Sequence, residues 1–179
     1  MQIRIRETGA VMFWNEFRAL LLAQNPSELI TVAAQTEEWL DAHGADVVFE
    51  GPQATGGTVY QYSQRDGVEQ IEGKWYTKYI LGPVFTDLPA TDTEPAQTAA
   101  EQEAAYKAMK DAEQAANVRS TRNSMLKDCD WVVTKAVDQN AQDNLGIQIP
   151  VVWLTYRQAL RDITAQAGFP WTIDWPVAP

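Results

Sequence analysis

The strongest constraint on the fold is the stretch beyond Gln97, TAAEQEAAYKAMKDAEQAANVRSTRNSMLKDCDW, which is rich in Ala, Glu, Gln and Lys and has no internal Gly or Pro. These residues lose little side-chain freedom in a helix, and nothing in the run interrupts the backbone ladder, so one long helix is predicted. Its first half is thinly apolar, offering Ala with only Tyr106 and Met109 to pack. Val118, Met125, Leu126 and Cys129 supply a stripe later. Helices gain most of their stability from a packed face, so the first half needs a partner, and self-association through the long helix is one expected source.

Downstream, Val132 to Gly146 reads as a polar connection. Pro150 then fits the first turn of a last helix, in which Trp153, Tyr156, Leu160 and Ile163 recur at spacings of three, four and three. Gly168 and Pro170 stop it. The tail FPWTIDWPVAP cannot form helix and is too apolar for a free end, so it is expected to lie back on the helical pair or against a partner.

Upstream, TDLPATDTEPAQ (Thr86 to Gln97) has almost nothing to bury and reads as a linker. The predicted organisation is a module over 1–88, a linker over 89–97 and a helical module over 98–179. In the first module QIRIRE alternates like a strand with Ile3 and Ile5 on one face. After a turn at Gly9, Phe13, Phe17 and Leu20/Leu21 mark a short amphipathic helix, and a second helix is predicted from Ser27 to Ala42, closed by His43-Gly44. From Asp46 to Phe85, β-branched and aromatic runs separated by Asp66-Gly67, Glu72-Gly73 and other turn pairs predict an antiparallel meander of three or four strands. The fold class is therefore α+β: a small N-terminal helix plus antiparallel β-meander module, a linker, a long helix, and a C-terminal helical hairpin with an extended Trp/Pro tail.

Charge and composition narrow the function. The 179 residues carry a formal charge of −10; residues 1–118 hold all of it, with 8 Lys+Arg against 18 Asp+Glu, and residues 119–179 are neutral with 6 of each. An acidic body without a basic stripe is repelled by phosphate backbones, so no nucleic-acid partner is expected. One Cys (Cys129) and one His (His43) exclude an intramolecular disulfide and a structural zinc site, which needs four Cys/His ligands, within one chain. No run approaches the 18 or so apolar residues of a membrane span, and MQIRIRETGA lacks the apolar stretch of a secretory signal, so a soluble protein made inside the cell, without a membrane partner, is expected.

No catalytic pattern emerges. His43 precedes a helix-ending Gly, where an imidazole interacts favourably with helix carbonyls, and a Ser-His-Asp or Cys-His device would have to use it. There is no phosphate-cradling GxxxxGK[ST] and no HExxH; Gly56-Gly57 lacks a following Lys. Glu37/Glu38 and Glu101/Glu103 are carboxylate pairs such as any acidic protein has. Tyr60, Tyr62, Trp75, Tyr76 and Tyr79 could face a sugar or protein, but adjacent Trp75 and Tyr76 point to opposite sides of a strand, which places part of the set in the core. No enzyme and no cofactor is expected; a cell-wall hydrolase is the remaining enzymatic alternative.

The last sixty residues carry a specific wording: Arg119-Ser-Thr-Arg122-Asn, Met125-Leu126, Cys129-Asp130-Trp131, Trp153-Leu-Thr-Tyr156-Arg157-Gln158-Ala159-Leu160-Arg161-Asp162-Ile163, and Gly168-Phe169-Pro170 with Trp175-Pro176. In this order they resemble the bacteriophage tail-assembly chaperone family, which includes tail-fibre assembly proteins. The resemblance implies a protein that binds the distal region of a trimeric tail fibre or another tail protein in the host cytoplasm and helps it reach the assembled state; some members stay on the fibre. It places partner binding at Trp131, Trp153, Tyr156, Arg157, Arg161, Phe169, Pro170, Trp171, Trp175 and Pro176. Arg122 and Arg157 or Arg161 are available to pair with Asp130 or Asp162, so the same residues can instead be the module's scaffold. A permanent baseplate or fibre-tip protein, with the β-meander binding a neighbour or a host glycan, is the alternative.

Overall fold

Alternation in QIRI builds strand β1 (Gln2–Ile5), and Gly9, at φ +71°, turns the chain into β2 (Val11–Phe13), which pairs with β1 in antiparallel register. The computed structural model describes residues 1–27, 30–31 and 35–179, which divide into two units, Met1–Val84 and Phe85–Pro179. The fold class is α+β.

In the first unit, helix α1 (Trp14–Gln24) starts directly from β2, with the Glu16 carboxylate accepting the Phe13 N–H at 2.8 Å. Phe13 is consequently the exposed end of a strand, and Trp14 with Phe17 takes the buried face that the helical spacing had assigned to Phe13. Helix α2 (Glu37–Ala42) is capped by the Thr36 hydroxyl on the Trp39 N–H. The predicted second helix from Ser27 is shorter in the structure: Ser27, Ile30, Thr31 and Gln35 are not helical, and residues 28–29 and 32–34 lie outside the described residues. Strand β3 (Ala45–Phe49) pairs antiparallel with β1, and Ile3, Trp14, Phe17, Ile30, Leu40 and Ala45 form the core.

The predicted meander is corrected in two places. Asp66-Gly67 does not turn the chain: β4 (Tyr62–Ile71) runs through it, and the register shift between Arg65 and Val68 makes it a bulge, with Gly67 at φ +77°. A local Asp-Gly signal fits both devices, because a bulge also needs a residue at positive φ. Glu72-Gly73 is the hairpin turn to β5 (Lys74–Gly82), with φ of 49° and 81°, the two positive values a type I′ turn requires. Further, β3 pairs with β5 in parallel, so the five-stranded sheet has order β2-β1-β3-β5-β4 and is mixed. A parallel partner must be reached by a crossover, here by way of β4, which local turn chemistry cannot reveal.

The second unit begins with a tied loop. Leu88 and Gln97 exchange backbone hydrogen bonds of 2.8 and 3.0 Å, the Asp87 carboxylate accepts the Ala99 N–H at 2.7 Å, and Gln102 donates to the Thr86 carbonyl at 2.7 Å. Between those ties residues 91–97 are exposed. Limited proteolysis of the full chain is expected to cut first within the exposed loop between the Leu88 and Gln97 ties. Primary cleavage within Trp153–Ile163 would contradict this.

Helix α3 (Ala99–Asp128) opens with a capping box: Thr98 accepts the Glu101 N–H at 3.2 Å and Glu101 accepts the Thr98 N–H at 2.8 Å. The Thr98 N–H and, with a smaller effect, the Thr98 hydroxyl, both donating to it, hold the exposed Glu101 carboxyl below its usual value. The predicted polar connection from Val132 is instead helix α4 (Asp130–Asp143), ended by Asn144 in the left-handed region. Its mean hydropathy is low, but the absence of Gly and Pro extends unbroken to Leu145, which is a sign of helix. Helix α5 (Val151–Arg161) follows Pro150 and ends in a 3-10 turn, Asp162–Ala165. Its seam packs on α3: Val118, Cys129, Tyr156, Leu160 and Ile163 are buried, with Met125, Leu126 and Trp153 beside them. The tail folds back on the same core through Phe169, Ile173 and Trp175. Among the described residues no helix is long and apolar enough to cross a membrane.

Candidate functional site

Arg157 organises the second unit. Its side chain is almost fully enclosed, the residue being 9% exposed, and Nη1 donates to the Leu126 carbonyl at 3.1 Å and to Cys129 Sγ at 2.9 Å, while Nη2 donates to Asp130 Oδ1 at 2.8 Å. In an unbroken helix the Leu126 carbonyl would accept the Asp130 N–H. Here it accepts the Cys129 N–H at 3.3 Å, the Cys129 thiol at 3.1 Å and the guanidinium, so the helix ends and restarts as α4 in a new direction. Cationic charge at a helix C-terminus is favoured by the exposed carbonyls. The Asp130 bond, set against burial and reinforced by Cys129, holds the Arg157 pKa above its ordinary value. Arg157 therefore ties α5 to the junction of α3 and α4.

Beside that junction apolar side chains form an exposed shoulder. Trp131, in the first turn of α4, is 55% exposed and meets Trp153 edge to face at 5.7 Å; Trp153 meets buried Tyr156 in the same way at 5.9 Å. Around the start of α5, Leu145 is 77% exposed, Val151 74% and Val152 58%, with Ile147 and Leu154 also open to solvent. Single exposed apolar residues are ordinary; this many on one short stretch of chain is the mark of an interaction surface. The seam at 153, 156, 160 and 163 uses one face of α5, so Val151 and Leu154 fall on the opposite side, which the spacing alone could have disclosed; Val152 lies at the edge of the seam face, one turn before Tyr156, and is exposed at the start of the helix.

Of the sequence-derived partner residues, Trp131 and Arg161 are exposed, Trp153, Phe169, Pro170, Trp171, Trp175 and Pro176 are half-buried, and Tyr156 and Arg157 are buried. Arg157 makes the ion pair with Asp130, whereas Arg122 bonds the Asn123 side chain and Asp162 accepts from Gln158 at 2.9 Å. Trp171 Nε1 donates to Asp111 Oδ1 at 2.6 Å, and the Arg119 guanidinium lies 5.3 Å from the Phe169 ring centre. The tail is thus pinned to α3 by both polar and apolar contacts. In the first unit His43 donates from Nδ1 to the Trp39 carbonyl at 2.7 Å and stacks on that indole, Arg4 covers Trp75 at 4.0 Å, and Tyr79 bonds Glu50.

Burial raises the Tyr156 hydroxyl above its usual value near 10, with smaller contributions from the charges of Cys129 and Asp128. A raised phenol pKa adds stability that is complete below the unfolded value and is lost as pH rises through the folded one. The second unit is accordingly expected to lose stability above about pH 10, and Tyr156→Phe should flatten that alkaline limb. Chemical denaturation followed at pH 8 and pH 11 checks it; an equal alkaline loss in both proteins would contradict the assignment.

The sequence of the C-terminal residues matches one family model. Residues 115–179 match the phage tail assembly chaperone protein family. The matched segment begins within α3 and includes the bend, the Arg157 cluster, the apolar shoulder and the folded-back tail. No curated protein and no solved structure matches the chain. The match supports a role in phage tail assembly, with a tail protein as partner, and a chaperone family suggests a non-catalytic part in it.

Proposed function

We propose that the chain is a bacteriophage tail-fibre assembly chaperone. The carrying observation is the exposed shoulder of Trp131, Val151, Val152 and Leu154 on a helix pair held rigid by buried Arg157. An apolar surface of fixed shape can cover the apolar surface of an unassembled tail protein and release it when the permanent neighbour arrives. In this reading Tyr156 and Arg157 are scaffold, Trp131 and the start of α5 are the contact, and the tail Trp and Pro residues form its margin. The client is a tail fibre, trimeric when mature, and the encounter occurs in the host cytoplasm. The acidic charge, which the two units share equally at −5 each, keeps the complex soluble, and the first unit adapts it to neighbours.

The test is coexpression of the tail fibre of the same phage with and without this chain, reading the yield of trimeric fibre by native mass spectrometry. A several-fold rise in soluble trimer is expected with the chain present. Equal yields would contradict a chaperone role, and mass spectrometry of purified particles then reveals whether the chain is a permanent virion part instead.

A further inference from the structure

A second surface of the C-terminal unit is built for a different kind of contact. Between α3 and the folded-back tail lies a groove of about 340 Å³, walled on one side by Gln114, Asn117 and Thr121 and on the other by Trp171, Ile173 and Trp175, with Val118 at its floor. None of its residues is charged. An ionised side chain entering it would lose hydration without a countercharge, so the lining selects an uncharged occupant.

The tail shows what the occupant is. Gln166 grips the main chain at Asp174 in both directions, donating to its carbonyl at 2.8 Å and accepting its N–H at 2.9 Å. In an extended chain successive residues offer their N–H and C=O to opposite edges. The Asp174 edge is therefore satisfied by Gln166, while Ile173 and Trp175 offer theirs to the other edge and form no backbone hydrogen bond among the described residues. These two residues are tail walls of the groove. Opposite them, the side-chain amides of Gln114 and Asn117 each hold donors and an acceptor, and Thr121, whose hydroxyl donates to the Asn117 carbonyl at 3.1 Å, keeps lone pairs to accept. At ~1.5 Å per residue, Asn117 and Thr121 stand ~6 Å apart along the helix, close to the ~6.6 Å repeat of one edge of an extended strand.

The geometry points to a peptide-binding groove: an extended, uncharged segment of the client tail protein pairs its main chain with the free edge at Ile173 and Trp175 and with the amides of α3. This is strand addition to an exposed edge, with the indoles supplying the apolar walls. It rests on the chaperone reading for the identity of the client, and gives that reading a second, sequence-selective contact beside the shoulder.

The test uses the full chain and an array of overlapping 15-residue peptides covering the tail fibre of the same phage. At least one uncharged segment should bind, and the Gln114→Ala/Asn117→Ala double variant, on a helix surface where alanine is well tolerated, should weaken it at least tenfold. A copy of that peptide N-methylated at alternate residues should bind at least tenfold more weakly on one of its two phases, because only one edge is used. No binding peptide, or binding indifferent to both the double variant and N-methylation, overturns the groove. Capture of the intact fibre by the same double variant is read separately: retained capture through the shoulder without any peptide binding sinks the groove alone, whereas no capture by the wild-type chain sinks the chaperone reading.

Discussion

Leu160→Ala should destabilise the C-terminal unit by about 3 kcal/mol, within the range measured for deleting a fully buried leucine side chain. Leu160 has no exposed surface and sits among Val118, Tyr156 and Ile163, where α5 meets α3. The cavity cannot close easily, because the Arg157 bonds to Leu126, Cys129 and Asp130 hold the two helices at a fixed separation. For a unit of this size the loss corresponds to a fall in melting temperature of about 12 °C or more. Urea unfolding followed by far-ultraviolet circular dichroism, dominated by α3, α4 and α5, reads it. A change below about 1 kcal/mol would mean that the α3–α5 seam is not the stabilising core.

The second large effect is on binding. Trp131→Ala with Val152→Asp should weaken capture of the tail fibre by about 30-fold or more, since an aromatic anchor is lost and a charge must be buried in its place. Both side chains are more than half exposed, so the fold should survive. Trp131 gives up only its edge-to-face contact with Trp153, which costs about 1 kcal/mol. Tail truncation is a poorer probe of the same surface, because Phe169, Ile173 and Trp175 belong to the core and their removal would open it.

What the sequence disclosed follows from what is local. The long helix free of Gly and Pro, the seam of Trp153, Tyr156, Leu160 and Ile163, and the turn at Glu72-Gly73 are each written in local sequence, and each stands where its chemistry demands. What it hid depends on partners distant in the chain. The parallel pairing of β3 with β5 joins Val48 to Trp75, and the end of α3 is set by Arg157, which lies 31 residues beyond the Leu126 carbonyl it binds. Helix α4 was missed because Val132 and Ala136 are its only buried residues, too sparse a stripe for periodicity to register. The candidate site divides along the same line: Trp131 was legible as an aromatic in a distinctive phrase, while Val151 and Leu154 become a surface only once the seam has used the other face of their helix.

The central claim is that the C-terminal unit holds a tail protein through its exposed shoulder. The most direct measurement is the affinity of the purified full chain for the tail fibre of the same phage, by titration calorimetry, for wild type and for the Trp131→Ala/Val152→Asp variant whose fold has been verified by circular dichroism. The account predicts saturable binding by the wild-type chain and a loss of about 30-fold or more in the variant. Equal affinity of the two proteins, or a wild-type chain that binds no fibre, would contradict it.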